Sequence, residues 1–444
     1  MLIQFTVRNF KTFREKATFS QIASNYDKDT RATENITEDS KYKLRVLKSA
    51  VVYGANASGK SRFIEALKFM KEFVINSSRE SQMGDEIPVQ PFRLNTESEN
   101  EPSEFEVIFT FDNIMYRYGF EVDRKTVVSE WLYYKPKSKE VELFHRDLDE
   151  INTHPRIFQK GATLIKGKFV RDNALILSVA SQFNEESASN VLSWFRKLNI
   201  ISGLDEKGFK TNSILKVKNV TEKGKVLELL KVADLGIVDV NYKQDSEEIS
   251  AVGEKGKLYL GRNQREKPTD EFEYLSDIST YHKKFNEDGI KSGNVKLSMN
   301  TDESEGTKKF FYLAGPIIDA LENGGIIVAD DLDSKIHPNL VAKIVSLFNS
   351  NAQNPKNAQL IFNTHDTNLL GSGLFRKDQV WFIEKDKYGE ASLFSLADFK
   401  SEEVRKTEAF EDNYIRGKYG AIPFLGFFDN ITINSNLSKV INEK

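Results

Sequence analysis

The sequence predicts an α/β fold around a mixed sheet, and three observations carry that expectation. Short apolar runs at 47–53, 325–329 and 359–363 end in a glycine, a pair of acids or an Asn-Thr-His turn, the pattern of buried parallel strands. Helical spacing follows two of them: Phe63, Ala66, Leu67 and Met70 recur on one face, and a second amphipathic stretch starts at Asn339. The runs 105–111, 115–122 and 127–134 instead alternate with period two, which predicts an antiparallel sheet inserted beside the first unit.

Taken in order, 2–7 reads as an opening strand and Asn9-Phe10-Lys11-Thr12-Phe13 as a turn. Residues 25–43 are polar and charged, a surface loop, before the strand 47–53 and the helix 62–74. Helical patterns at 187–198 and 226–233, with a charged, Gly-containing hairpin or loop at 246–271, suggest a largely helical arm or lid over 165–290. The α/β pattern returns at 291–400: a strand, a helix after Gly306, the strand 325–329, a helix and the strand 359–363. Four segments are therefore expected: 1–164 with the antiparallel insert, the arm 165–290, the second α/β part 291–400, and a tail 401–444.

Composition narrows the chemistry. The 444 residues suggest two to four structural units. Cysteine is absent, which excludes a disulfide scaffold, a Cys-ligated metal site and a thiol nucleophile. With 63 basic and 66 acidic residues the net charge is −3, so the chain is no polycationic nucleic-acid coat. No run approaches 18 apolar residues and the start alternates like a strand, so a cytoplasmic protein without a membrane span is expected.

One loop matches GxxxxGK[ST] in full: Gly54-Ala55-Asn56-Ala57-Ser58-Gly59-Lys60-Ser61, after an apolar strand and opening an amphipathic helix. In such a loop the glycines let backbone amides surround phosphates. Lys60 reaches the β- and γ-phosphates, and the Ser61 hydroxyl can ligate Mg²⁺. Gly54, Asn56, Ala57, Ser58, Gly59, Lys60, Ser61 and Arg62 are the expected contacts to ATP. A second strand, 325–329, ends in Asp330 and Asp331, the Walker B pattern. Asp330 is expected to hold Mg²⁺. Asp331 stands where a general base or water-orienting carboxylate belongs, and capping the next helix is its other reading. Ser304 and Gly306 open a helix in a Ser-x-Gly turn, a second phosphate-binding device. His365 follows the next core strand, placed to contact a γ-phosphate.

The order of P-loop, Ser-x-Gly-x-Lys, strand plus Asp-Asp, and Thr-His resembles the ABC-type ATPase heads of SMC, RecF and OLD proteins. That resemblance implies a homodimer, or a higher even oligomer, in which two ATP molecules are sandwiched between subunits. Ser304 and Gly306 would act in trans; Lys60, Ser61, Asp330, Asp331 and His365 would act in cis. Ser334-Lys335-Ile336-His337-Pro338 looks like the D-loop of the RecF and OLD branch, and the 9–13 turn is similar to the NFxSF start of the same proteins, near base and ribose. Gln90, after the first core helix, is the candidate that this resemblance implies for a Q-loop glutamine and metal contact, although no clear Q-loop motif surrounds it. A nearer resemblance rests on VVYGANASGKS, YRYGFEVD with EWLYY, ESEGTKKFFYLAGPI, NAQLIFNTHDTNLL, RKDQVWFIEKD and YIRGKYGAIPF. These blocks look like the RloA/AbiLi-type AAA ATPases of phage-defence (abortive-infection) operons. The implied partner is a separately encoded effector, a RloB/AbiLii-like Toprim protein or another nuclease.

One departure bears on rate. The family commonly carries Asp-Glu where this chain has Asp330-Asp331, and the shorter carboxylate sits roughly 1 Å further from an attacking water, a misplacement that can cost on the order of 100-fold. Slow or partner-gated hydrolysis is expected. Only 79 residues follow His365, little room for a Toprim domain. Asp378, Glu384, Asp386 and Glu390 are read as solvated surface acids. Lys207, Lys210, Lys216, Lys218, Lys223 and Lys225 make the arm locally basic, with DNA or RNA phosphates as one reading and a solvated face as the favoured one. The aromatic tail 414–428 is left between docking a partner and packing on the core. Three functions remain open: a defence ATPase controlling an effector, a RecF-like DNA-maintenance ATPase, and an ATP-binding scaffold with little hydrolysis.

Overall fold

Alternate side chains of one central sheet feed two separate cores. The computed structural model describes residues 1–80, 82–148, 150–202, 207–242, 278–399 and 408–423. Its central sheet runs in the order Leu198–Ser202, Ile326–Asp330, Gln359–Asn363, Ser49–Tyr53, Val380–Lys385, Ala391–Ser395. The first five strands are parallel; the last pairs antiparallel with its neighbour. Ala50, Val52, Ile326, Val328, Ile361 and Ile383 enter one core, and Val51, Ile327, Ala329, Leu360, Phe362 and Phe382 enter the other. Burial on both faces is why these strands read as unbroken apolar runs.

The first core lies between the central sheet and a seven-stranded antiparallel sheet. That sheet is ordered Glu150–Thr153, Val141–Asp147, Val127–Lys135, Ile114–Val122, Ser103–Phe111, Leu2–Arg8, Ala17–Ser20. The helix Lys60–Asn76 lies within it, burying Phe63, Ile64, Leu67, Met70 and Val74. Phe63 meets Phe5 and Phe19 at ring centroid distances of 5.7 and 5.4 Å. Each such fully buried side chain contributes about 1.5–3 kcal/mol. Buried Gln359 joins the two sheets: its Oε1 accepts from Leu2 N (2.6 Å), and its Nε2 donates to Leu2 O and Leu47 O (3.0 Å each).

The second core is built on the helix Glu305–Asn323, buried on most sides. Pro316 lacks the N–H that would bond Tyr312 O four residues back. Ser213 Oγ, on the helix Lys207–Lys218, donates to that carbonyl (2.7 Å) and accepts from Gly315 N (2.8 Å). The arm helix is thereby hydrogen-bonded to the one interruption in its neighbour.

The structure revises several expectations. Residues 165–202 are not arm: the helices Ile176–Gln182 and Glu186–Lys197 pack into the first core, and Leu198–Ser202 is the outer strand of the central sheet. Their apolar spacing could not show which sheet they serve. The loop 25–43 contains a strand, Ile36–Asp39, paired with Leu44–Leu47, and the expected strand 47–53 breaks at Lys48 between two sheets. Half of the lysines named for the basic arm are ion-paired: Lys216 pairs with Asp319 (2.6 Å) and Glu222 (2.8 Å), Lys223 with Asp239 (2.7 Å), and Lys225 with Glu322 (2.5 Å), while Lys210 and Lys218 lie over the Tyr312 and Tyr242 rings. Asp378 is buried in a pair with Arg376 (2.8 Å), not solvated. Tyr414 and Tyr419 of the tail pack into the second core, while 424–428 and the hairpin 246–271 lie outside the described residues.

One buried carboxylate makes stability depend on pH. Glu130 is fully buried and accepts hydrogen bonds from Ile176 N (2.6 Å), Leu177 N (3.0 Å) and the Tyr118 hydroxyl (3.0 Å). Burial still pushes its pKa up to about 7, against those hydrogen bonds and the charge of Arg146. A carboxyl raised on folding stabilises most below its ordinary pKa of 4.5 and loses that contribution as pH climbs to about 7. Urea unfolding at pH 5 and pH 8 is expected to show wild type losing on the order of 2–3 kcal/mol more than Glu130→Gln over this interval. Equal pH dependence of the two proteins would refute this role.

Candidate nucleotide site

Behind the strand Ser49–Tyr53 the loop 54–61 closes on the helix Lys60–Asn76. Two of its positions tolerate no side chain. A Cβ on Gly54 would lie 2.4 Å from Ile383 O; one on Gly59, where φ is +118°, would lie 2.9 Å from Thr12 Oγ1. Ala57 also takes a positive φ of 61°. Ser58 N donates to Ala55 O (3.2 Å), whereas the amides of Asn56, Ala57 and Gly59 meet no protein acceptor among the described residues. With the N-terminal end of a 17-residue helix beside them, these donors form a concave array suited to phosphate.

Lys60 is buried, and its Nζ donates to Gly54 O (2.8 Å) and Ala55 O (3.1 Å) across the loop. Burial lowers its pKa from the ordinary lysine value, opposed by Asp331, Asp330 and Asp333. Ser58 Oγ and Thr12 Oγ1 are buried without a hydrogen-bond partner, two orphaned hydroxyls at the loop. Thr12 belongs to the 9–13 turn, which docks here through Ala391 N to Thr12 O (2.8 Å) and Lys11 to Glu65 (2.7 Å). Glu65 also holds Arg62 (2.7 Å).

The acids stand at the carboxyl end of Ile326–Asp330, one strand removed from the phosphate-loop strand. The intervening strand Gln359–Asn363 supplies the link. Asn363, fully buried, donates from Nδ2 to Asp330 Oδ1 (2.5 Å) and accepts at Oδ1 from Asp331 N (2.5 Å). One amide therefore orients the first carboxylate and fixes the turn that carries the second. Asp331 has a positive φ of 50°, and its carboxyl is pushed above the usual range by burial, then by Asp330, with His365 opposing. His365 Nε2 lies 3.9 Å from Asp331 Oδ1, and its backbone N donates to Asp333 Oδ2 (3.3 Å).

Ser304 caps the helix Glu305–Asn323, its Oγ accepting from Thr307 N (3.2 Å), and is exposed. A Cβ on Gly306 would meet Lys335 O at 2.7 Å, so this turn packs directly on the segment 334–338. Glu305 pairs with Lys335 (3.0 Å), and buried Lys309 donates to Asp331 O (3.2 Å) and Ser334 O (2.5 Å). The turn is thus tied to the Walker B end within one subunit. The Gln90 side chain is exposed, and its carbonyl accepts from Lys11 N (2.8 Å) in the 9–13 turn.

Lys60, Asp330, Asp331 and His365 come together at the carboxyl ends of adjacent parallel strands. The sequence reading missed Asn363 and Lys309; it named Thr12 only within the 9–13 turn near base and ribose, and Tyr414 only within a tail left between docking a partner and packing on the core. Asn363 alone left a signal, an amide closing an otherwise apolar strand. Tyr414 stacks on Phe382 (5.4 Å) behind the loop, and burial pushes its hydroxyl up to about 12, with the Gly54 backbone opposing. Among the described residues no cluster of three or more His, Asp or Glu side chains is arranged to hold a metal ion. Mg²⁺ commonly binds through one or two carboxylates plus substrate phosphates, and Ser61 with Asp330 fits that habit.

Comparison with known proteins adds one decisive finding. A family profile described as "AAA domain, putative AbiEii toxin, Type IV TA system" matches residues 49–371, from the phosphate-loop strand to beyond His365. The chain belongs to this AAA family. Its P-loop and Walker B strands therefore carry an ATPase fold by descent as well as by geometry. Similar solved structures include the SMC head domain from Thermotoga maritima, at 11% identity and TM-score 0.39, covering 89% of this chain and 98% of that one. Another is an SMC head bound to the C-terminal winged-helix domain of ScpA, at 12% identity and TM-score 0.42, covering 89% and 97%. No curated protein matches the chain significantly. Among the described residues no helix is long and apolar enough to cross a membrane.

The Asn363 bridge gives a first test of the site. Removing one partner of a buried hydrogen-bonded pair costs about 1–3 kcal/mol. Asn363→Ala is therefore expected to lower ATP hydrolysis roughly 10- to 100-fold and to raise the Mg²⁺ concentration for half-maximal rate, with nucleotide binding in EDTA unchanged. An Asn363→Ala protein with the wild-type Mg²⁺ response would reject the bridge as a positioning device.

Proposed function

We propose that the protein is the Mg²⁺-dependent ATPase subunit of an anti-phage, abortive-infection system of the RloA/AbiLi type. The observation that carries this reading is the convergence of Lys60, Asp330, Asp331, His365 and the Asn363 bridge at the strand ends, within a chain of an AAA family whose description names a toxin of a type IV toxin–antitoxin system. The loop amides and Lys60 would bind the phosphates of ATP. Ser61 and Asp330, with Gln90 as the further candidate, would hold Mg²⁺, which when bound supplies charge neutralisation at the phosphates. Asp331 accepts a proton from, or orients, the attacking water, and His365 stands beside it to contact the γ-phosphate.

The exposed Ser304 turn, seated on 334–338, supports a homodimer or higher even oligomer in which Ser304 and Gly306 complete the partner's site. A cytoplasmic location and a separately encoded effector, Toprim-like or another nuclease, belong to the same proposal. The test is purification with the genomic neighbours, followed by phosphate-release and nuclease assays on wild type and Lys60→Ala. Nucleotide-dependent effector activity lost in the variant is expected. Full activity and assembly in Lys60→Ala would end the proposal.

A further inference from the structure

The hairpin Ile278–Phe285 and Lys291–Ser298 extends beyond its third strand. Ile237–Tyr242 pairs along it only from Ile278 to His282, so the ribbon continues for three residues without that neighbour. Residues 283–296 are exposed throughout. At about 3.3 Å per residue the paired part projects roughly 10 Å, with the turn added.

Cross-strand register sorts its side chains. Tyr281 opposes Lys296, Lys283 opposes Asn294, and Phe285 opposes Lys291 past a bulge. Opposed residues share a face. One face therefore carries three lysines interleaved with two aromatic rings and an amide. Over 283–296 four lysines stand against Glu287 and Asp288, a net +2 in a chain whose net charge is −3. None of the four lysines forms an ion pair among the described residues, unlike Lys216, Lys223 and Lys225 of the arm helices. Lysines on exposed strands also serve to block edge-to-edge association. That role does not account for Phe285 and Ile290, left 55% and 64% exposed at the tip.

We propose that this ribbon is a docking arm for duplex DNA, entering the major groove with Lys283, Lys291 and Lys296 on the flanking phosphates. Charge complementarity selects a polyanion, and shape selects the duplex: the B-form major groove, about 12 Å wide and 8.5 Å deep, admits a two-stranded ribbon of this reach. A-form RNA, with its narrow deep groove, does not. The inference is independent of ATP hydrolysis.

The experiment is fluorescence anisotropy of the full chain with a short labelled duplex DNA, titrated at several salt concentrations. Each lost lysine–phosphate contact lowers the log–log salt slope by about 0.9, so K283A/K291A/K296A is expected to lose about 2.7 from it. Wild type should then lose roughly 40-fold more affinity than the variant between about 50 and 200 mM salt. The matching Lys→Arg triple variant, which keeps the charges, should bind like wild type. Failure of wild type to bind, an unchanged slope in the Ala variant, loss of binding in the Arg variant, or equal competition by duplex RNA would each overturn the proposal. Binding unaffected by Lys60→Ala separates this result from any failure of the ATPase reading.

Discussion

Lys60→Ala is expected to reduce ATP hydrolysis by about 10²–10³-fold, the scale for losing one pre-placed donor to developing charge. The apo fold should survive. Lys60 Nζ serves only two loop carbonyls, Gly54 O and Ala55 O, and its burial already disfavours its charge. The informative readout is thermal unfolding with and without nucleotide. Wild type at ATP about 100 times its Kd should gain about 2.7 kcal/mol by mass action, and the variant should gain little. A variant destabilised without ATP yet normally stabilised by it would make Lys60 a structural residue of the loop.

How much of this was legible in the sequence follows from what each pattern depends on. Local chemistry was legible: the phosphate loop needs glycine at two close approaches, and Gly54 and Gly59 stand where Ile383 O and Thr12 Oγ1 leave no room for a Cβ. The parallel strands were legible because burial on both faces forces apolar runs. Partnership between distant segments was not. Leu198–Ser202 pairs with Ile326–Asp330 across more than a hundred residues, and nothing in its own five residues names that neighbour. Asp378 looked solvated because lysines flank the acids that follow it, but its partner is buried Arg376, two residues away. The Asn363 bridge depends on register between two strands, and register is a tertiary fact. The tail shows the same limit: its sequence leaves Tyr414 between docking a partner and packing on the core, and only the contacts with Tyr53 and Phe382 decide for packing.

Asp331 should separate two opposing effects of one methylene group. Its positive φ of 50° lies in the left-handed region, which Asp and Asn tolerate better than Glu. That gives a physical reason for the shorter acid here. Asp331→Glu would add strain on the order of 1 kcal/mol, roughly a fivefold loss of the competent conformer. Against it stands the recovered reach of about 1 Å, worth on the order of 100-fold where a carboxylate is misplaced. Recovered reach outweighs the added strain, so Asp331→Glu is expected to hydrolyse ATP roughly 20-fold faster than wild type. Asp331→Asn, which keeps the turn and removes the base, should fall at least about 100-fold. The pH profile carries a separate sign. Burial and Asp330 hold the Asp331 carboxyl above its ordinary range, so wild-type turnover should rise with pH through that raised value as the carboxylate forms, and the Asn variant should be flat. Single-turnover phosphate release across pH on the three proteins decides it. An Asn variant as fast as wild type, or a Glu variant slower than Asp, would mean that Asp331 shapes the turn and leaves the attacking water to another group.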